Sequence, residues 1–219
     1  MILFLNLVNF EYQAYLISVL TVGTDPYTNI EVDLDLNGTQ LQAISGTIYI
    51  LMGATAGLGM GYLVDRLPRK WFLLTSAITI NILCCLNGFT HSFWQILFTR
   101  MFTGVFATVC TPTSMSLIKD YFPHKMRGRA NGIYFFGIYI GAAMTQLTVM
   151  LNQAVGWRNA IYIASAIGFV LSLLNFFLKE PKRGANDEHS EMVEEEPMKL
   201  EEDSKDATIF WASKNLDEQ

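Results

Sequence analysis

Residues 61–70 read Gly61-Tyr62-Leu63-Val64-Asp65-Arg66-Leu67-Pro68-Arg69-Lys70, a charged decapeptide that closes one apolar run and opens the next. It reads as a hinge between two membrane helices. Asp65 falls where the preceding helix must stop, and the C-terminal end of a helix dipole disfavours a negative charge, so this carboxylate needs a cation or another helix's N-terminus nearby. Arg66, Arg69 and Lys70 offer cations within the loop, and Arg127 or Lys119 offer them from another loop. Gly61, one turn before Asp65, removes a side chain from the same face and admits a neighbouring backbone.

The surrounding composition fixes the setting. Of 219 residues 51% are hydrophobic and 16% charged, too apolar for a typical soluble domain and right for a polytopic membrane protein. The net charge of −5 averages two unlike segments. Residues 1–184 hold twelve Lys/Arg against eight Asp/Glu, and residues 185–219 hold three against twelve, giving +4 and −9. Cys84, Cys85 and Cys110 lie inside apolar runs without metal-ligand spacing and read as packing residues. No cofactor or metal site is expected. No basic segment and no small-residue cleavage site flank the first apolar run, so it reads as a retained helix rather than a signal peptide.

Six windows are long enough to cross a bilayer: 2–22, 41–64, 71–91, 93–118, 130–151 and 158–178. The expected fold is an all-α integral membrane bundle over residues 1–184, followed by an acidic, disordered or partner-bound tail over 185–219. Glu188, Glu191, Glu194, Glu195, Glu196, Glu201, Glu202 and Asp203 carry that tail's charge, and Ala207–Leu216 reads as a short interfacial helix or docking peptide. Loops near 66–70, 119–129 and 179–183 collect the cations, whereas 23–40 carries Asp25, Glu31, Asp33 and Asp35 and no Lys or Arg. Both termini are therefore expected on the cytoplasmic or matrix side. Asn37-Gly38-Thr39, on the opposite side, is an N-glycosylation acceptor pattern or a plain turn.

Within the helices, Asn6, Asn9 and Gln13 share one face of the first, which either lines a cavity or hydrogen-bonds to other helices. Glu11 projects elsewhere on that helix, and an intramembrane carboxylate is a functional candidate by default. Gly53, Gly57 and Gly61 form a ridge on the second helix, and Gly137, Gly141 and Thr145 repeat the device on the fifth. Arg100 on the fourth is stacked with Gly104, Ala107, Thr111 and Ser114 in a narrow polar stripe, where Arg100 and Thr111 are expected to face a cavity or solute, or else Arg100 is an interfacial arginine. Pro112 is expected to kink that helix. No nucleophile, base and orienting residue recur at workable spacing, so no enzyme is expected, and the dispersed cations do not suggest nucleic acid.

The spacing Gly61-x-x-x-Asp65-Arg66-x-x-Arg69-Lys70 resembles the signature loop after the second helix of the major facilitator superfamily, with Pro68 at a position where glycine is commonest. Arg100-x-x-x-Gly104 looks like the family's fourth-helix motif, although Phe106 replaces a usual glycine. The order of landmarks is most similar to the Spinster-like branch. There the first helix carries an Asn-aromatic-x-Asp-Arg pattern, and alignment on Asn9-Phe10 places Tyr12 and Gln13 at the Asp and Arg positions. A glutamate expected after the fourth-helix glycine is also missing from Phe106-Ala107-Thr108. The resemblance implies one six-helix half of a bundle whose small solute, of unknown identity, binds between two halves. A half of this kind implies transport together with a partner, and the absent charges leave open a non-transporting accessory subunit or a fragment of a longer carrier. Besides the lipid bilayer, the expected partner is a second membrane protein or a second copy along helices 2 and 5.

Overall fold

The computed structural model describes residues 1–21 and 23–181, excepting the side chains of Leu58 and Asp65. Expectations for residues 185–219 and for the partners of Asp65 lie outside the described residues. Six long helices make the bundle: α1 (Ile2–Val19), α4 (Ile48–Arg66), α5 (Arg69–Asn87), α6 (Phe93–Tyr121), α7 (His124–Val155) and α8 (Trp157–Leu173). Two short helices, α2 (Ile30–Asp33) and α3 (Gly38–Gln42), lie between α1 and α4, and a π-helical stretch, Ala43–Thr47, leads directly into α4. A 3-10 turn, Leu174–Phe177, ends α8.

Prolines and one glycine set the tight connections. Leu67 and Phe122, each preceding a proline, are extended at φ −92°, ψ 157° and φ −117°, ψ 137°, as the proline ring requires. Pro68 and Pro123 then sit just before α5 and α7, where a missing N–H costs nothing. The expected 119–129 loop is consequently reduced to Phe122 and Pro123, and Lys125, Arg127 and Arg129 stand on the first turns of α7. At the α7–α8 junction Gly156 has φ 82°, and a Cβ there would lie 2.7 Å from the Tyr27 ring. α6 stays helical through Pro112.

Helix ends fall into two groups. Arg69 meets Asp120 and Glu180 at one end, where Leu3 and Leu178 share an apolar cluster with Leu73 and Leu117. At the other, Asn152 Nδ2 donates to Thr28 O at 2.6 Å and Arg158 pairs with Asp33 at 2.8 Å. Six crossings give this division. Among the described residues five helices are long and apolar enough to span a membrane: α1, α5, α6, α7 and Trp157–Phe177. α4, which contains Leu58 and Asp65, has the same 19-residue length as α5, about 28 Å at 1.5 Å per residue.

α1 packs along α7, α4 along α6, and α5 between α6 and α8. One apolar cluster forms around Leu16, Ile96, Trp157 and Ile161, the other around Leu7, Leu73, Ile80 and Leu117. Outward, Phe102, Phe136, Tyr139, Met150 and Phe177 are all exposed. Such a surface would be an aggregation liability in water and is the ordinary exterior of a bundle in hydrocarbon.

Candidate functional site

An open cavity of about 380 Å³ lies between α1, α4 and α6, walled by Glu11, Tyr49, Gly53, Gly104, Thr108 and Thr111. Its shape depends on glycines. A Cβ on Gly53 would sit 2.6 Å from Thr108 Oγ1 and 3.2 Å from Gly104 O, and one on Gly104 would overlap the Tyr49 backbone. Gly57 likewise faces Thr108, with 3.0 Å to its Cγ2. On the other side of α1, a Cβ on Gly141 would lie 2.6 Å from Val8 O and 2.8 Å from Glu11 Cβ, and Gly137 packs on Phe4. These close approaches are made within the bundle, α4 on α6 and α7 on α1. The expectation that Gly53, Gly57, Gly137 and Gly141 face a second protein is thereby corrected, because their missing side chains are already filled by helices of this chain. Gly61 differs, with nothing within 4 Å of a Cβ placed on it.

Arg100 lies behind the cavity wall and not on it. The side chain is 1% exposed. Its Nε donates to Ile44 O at 2.9 Å, its Nη2 to Ala14 O at 2.9 Å and Ser45 O at 3.3 Å, and its Nη1 to Gln13 O at 3.4 Å. Ile44 and Ser45 belong to the π-helical stretch, whose wider turn disturbs the regular i→i−4 ladder and leaves carbonyls open to a side-chain donor. The guanidinium also stands 5.3 Å from the centre of the Tyr49 ring. Arg100 therefore ties α6 to α1 and to the π-helical stretch before α4 through backbone carbonyls. Both expectations, a cation open to solute and a snorkelling interfacial arginine, are corrected by this geometry. Thr111 does reach the cavity.

Asn6, Asn9 and Gln13 are turned into the bundle, each at most 4% exposed. Asn6 and Asn175 exchange amide hydrogen bonds, Gln13 Nε2 donates to Asn9 Oδ1 at 3.2 Å and to Asn81 Oδ1, and Asn81 Nδ2 donates to Ser172 Oγ at 2.7 Å. Gly168 makes room for this cluster, since a Cβ on it would meet Asn81, Asn9 and Gln13. Hydrogen bonding to other helices accounts for Asn6 and Gln13, whereas Asn9 accepts from Gln13 of its own helix and lines a cavity of about 320 Å³ between α1, α7 and α8. The partners Asn81, Ser172 and Asn175 were missed, being isolated polar residues on helices otherwise read as apolar.

Within the described residues the charged hinge is organised around Arg69. Arg69 is buried, its Nη2 2.5 Å from Asp120 Oδ2 and its Nη1 2.7 Å from Ser116 Oγ and 3.1 Å from Ser116 O. The Arg69 backbone N–H, an orphan donor at the start of α5, is taken by Glu180 Oε1 at 2.9 Å. Arg69 thus joins the start of α5 to the end of α6 and to the chain that follows α8, and the only signal in the sequence was a carboxylate at each of these places. Arg66 lies 4.1 Å over the Tyr62 ring, and Lys70 lies 5.3 Å over Phe176. At the opposite end Arg158 donates to Asp33, Gly88 O and Thr90 O, all at 2.8 Å. Asn37 is exposed there, its backbone N–H donating to Gln40 Oε1 at 2.9 Å at the start of α3. No cluster of three or more metal-ligating side chains occurs among the described residues.

Known proteins resemble this chain in sequence and in fold. Protein spinster of Drosophila melanogaster is 26% identical over 191 residues, 86% of this chain and 29% of its own length. Protein spinster homolog 1 of Homo sapiens is 27% identical over 160 residues, 71% of this chain and 30% of that protein. A solved bacterial homolog of the human lysosomal transporter Spinster, inward-facing and occupied, superposes with a TM-score of 0.75 at 24% identity, over 85% of this chain and 45% of that one. A D-xylose–proton symporter superposes with a TM-score of 0.67 at 17% identity, over 91% and 52%. The chain accordingly spans about three-tenths of the spinster proteins and about half of the solved carriers. Because the family model described as Major Facilitator Superfamily matches residues 2–214, nearly the whole sequence, and the six-helix bundle is that of its solved relatives, the chain belongs to the Major Facilitator Superfamily.

Proposed function

We propose that this chain acts as one six-helix half of a small-solute carrier, with the solute path along Glu11, Tyr49, Thr108 and Thr111 and a second six-helix unit opposite. The observation that carries the reading is the cavity of about 380 Å³ with a carboxylate on its wall at membrane depth. Such a group is expensive to keep in a membrane and is retained where it faces water, an ion or a solute. A second unit, a different membrane protein or a second copy, would cover the open cavity and the side of α4 marked by Gly61 and by exposed Ile50, Leu51 and Tyr62. The partner surface then includes α4 and α7 residues beside the buried glycines.

The side bearing Arg66, Arg69, Lys70, Lys125, Arg127, Arg129 and Lys179 is assigned to the cytoplasm or matrix, together with both termini, by the positive-inside rule. Asn37, at the acidic end, is then a candidate for glycosylation. An enzymatic role has no support from the site. The test is uptake of a mixed panel of small solutes, read by mass spectrometry, into sealed membranes with and without the chain and its native partners. Uptake that Glu11→Gln or Thr111→Trp reduces supports the proposal. Chain-dependent uptake indifferent to both substitutions overturns the assigned path. Absence of chain-dependent uptake favours the accessory-subunit reading, which draws on one further observation: Tyr12 and Gln13, at the positions where the Spinster-like pattern has charges, are engaged with Thr148 and Asn81.

A further inference from the structure

The end of the bundle where α4, α6 and α8 finish carries a surplus of positive charge that the described carboxylates do not balance. In sequence, 65–70, 119–129 and 179–181 hold eight Lys/Arg against Asp65, Asp120 and Glu180. Asp120 and Glu180 both serve Arg69. Arg66, Lys125, Arg129 and Lys179 are exposed, and Arg66 and half-buried Lys70 lie over aromatic rings. The described chain leaves the bundle at this same end, at Pro181, and residues 185–219 hold twelve Asp/Glu against three Lys/Arg.

We propose that the acidic segment around Glu191–Asp203 docks on this cationic end of its own bundle, against Arg66, Lys70, Lys125, Arg129 and Lys179. Charge complementarity selects this occupant, because residues 191–203, seven Asp/Glu against one Lys for a net −6, are tethered beside a face of net charge +5. Reach does not limit it. Glu194 lies thirteen residues beyond Pro181, about 45 Å when extended, against a face about three helix diameters, or roughly 30 Å, across. Tethering also supplies a local concentration on the order of millimolar, which a free anionic partner must match. Docking places a removable negative layer over the turns that join α4 to α5 and α6 to α7. This inference rests on charge and connectivity and is independent of the solute path.

Zero-length carbodiimide cross-linking of the full chain in nanodiscs tests it, with isotopically light and heavy chains mixed. Cross-links within one chain from Lys70, Lys125 or Lys179 to Glu191–Asp203 are expected at low salt. They should vanish as the screening length falls from about 30 Å at 0.01 M to about 3 Å at 1 M. Protease cleavage within 191–203 should accelerate about tenfold over the same range, as three or four exposed pairs are lost. In a variant with Glu194, Glu195, Glu196, Glu201 and Glu202 changed to Gln, which leaves the bundle untouched, cleavage should be fast at all salt concentrations. Four results would overturn the proposal: no cross-links at low salt, cross-links only between light and heavy chains, their loss at low salt when anionic replaces neutral lipid, or an unaltered salt response in the Gln variant.

Discussion

Asn6 and Asn175 exchange both amide hydrogen bonds across the bundle, Nδ2 of Asn6 to Oδ1 of Asn175 at 2.6 Å and the reverse at 2.9 Å, joining α1 to the end of α8. A pair that satisfies itself is cheap to bury, and half a pair is not. Asn6→Ala or Asn175→Ala alone should each destabilise the bundle by about 1–3 kcal/mol, since the surviving amide is stranded in an apolar site. The double variant should cost less than the sum, with a coupling of about 0.6 kcal/mol, the mean found inside membranes, and at most about 1.7 kcal/mol. Unfolding in mild detergent measures all three, and strict additivity would show that the two amides do not act together.

Glycine positions separate internal packing from open surface. Gly168→Ala should disrupt the meeting of α1, α5 and α8, because the new Cβ falls on Asn81, Asn9 and Gln13. Gly104→Ala should do the same between α6 and α4, where the obstacle is Tyr49 backbone and cannot swing aside. Overpacking of this kind costs about 1–3 kcal/mol or more. Gly61→Leu should leave the stability of the isolated bundle unchanged, with nothing within 4 Å. Thermal inactivation of the three purified variants ranks them, and a Gly61 variant as unstable as the Gly168 variant would contradict this division.

Arg69 and Asp120 predict a second double-mutant cycle. Both side chains are at most 4% exposed and stand 2.5 Å apart. Arg69→Ala removes the guanidinium 2.5 Å from the buried Asp120 carboxylate and should cost about 3–5 kcal/mol, whereas Arg69→Met with Asp120→Leu should recover much of the loss. Glu180→Gln should be milder, because an amide oxygen still accepts from the Arg69 N–H. If the double replacement is as unstable as the single, the pair's role lies in its hydrogen bonds to neighbouring helices rather than in charge balance.

How much of this fold was legible in the sequence depended on the range of each signal. Pro68, Pro123 and Gly156 act on their own backbone, so the breaks at 67–68, 122–123 and 156 were legible, and apolar length marked six helices. The α7 start was placed late because the cations of 124–129 were taken for loop residues, when charged residues are equally at home on a helix that projects from the membrane. The face holding Asn6, Asn9 and Gln13 was legible, but its direction was not. In a membrane a polar face turns from lipid toward either a cavity or other helices, and periodicity is the same for both. Glycine spacing on α4 announced a close approach without naming α6 as the neighbour. The partners of Arg69 and Arg158 are distant in sequence, Glu180 by 111 residues and Asp33 by 125, and no local pattern encodes them.

The assignment of a cavity wall to Glu11 and Thr111, and of buried positions to Arg100 and its neighbours, can be read chemically through thiol access. A cysteine reacts with a water-soluble maleimide only where water and reagent reach it. Of the native thiols, Cys84 and Cys110 are buried and Cys85 is half-buried, so a Cys85→Ala background should be nearly silent. On that background Thr111→Cys opens onto the cavity of about 380 Å³. Thr103→Cys on the same helix replaces a side chain that is 3% exposed, next to Arg100. The Thr111 variant should be labelled at least about tenfold faster than the Thr103 variant, and Glu11→Cys should behave like Thr111→Cys because it lines the same wall. Denaturing the protein before labelling should bring all three to equal rates, which excludes a difference in intrinsic reactivity. Equal labelling of Thr111→Cys and Thr103→Cys in the folded protein would mean that the cavity is closed to water or that the α6 face is turned, and the solute path proposed along Glu11 and Thr111 would then fail.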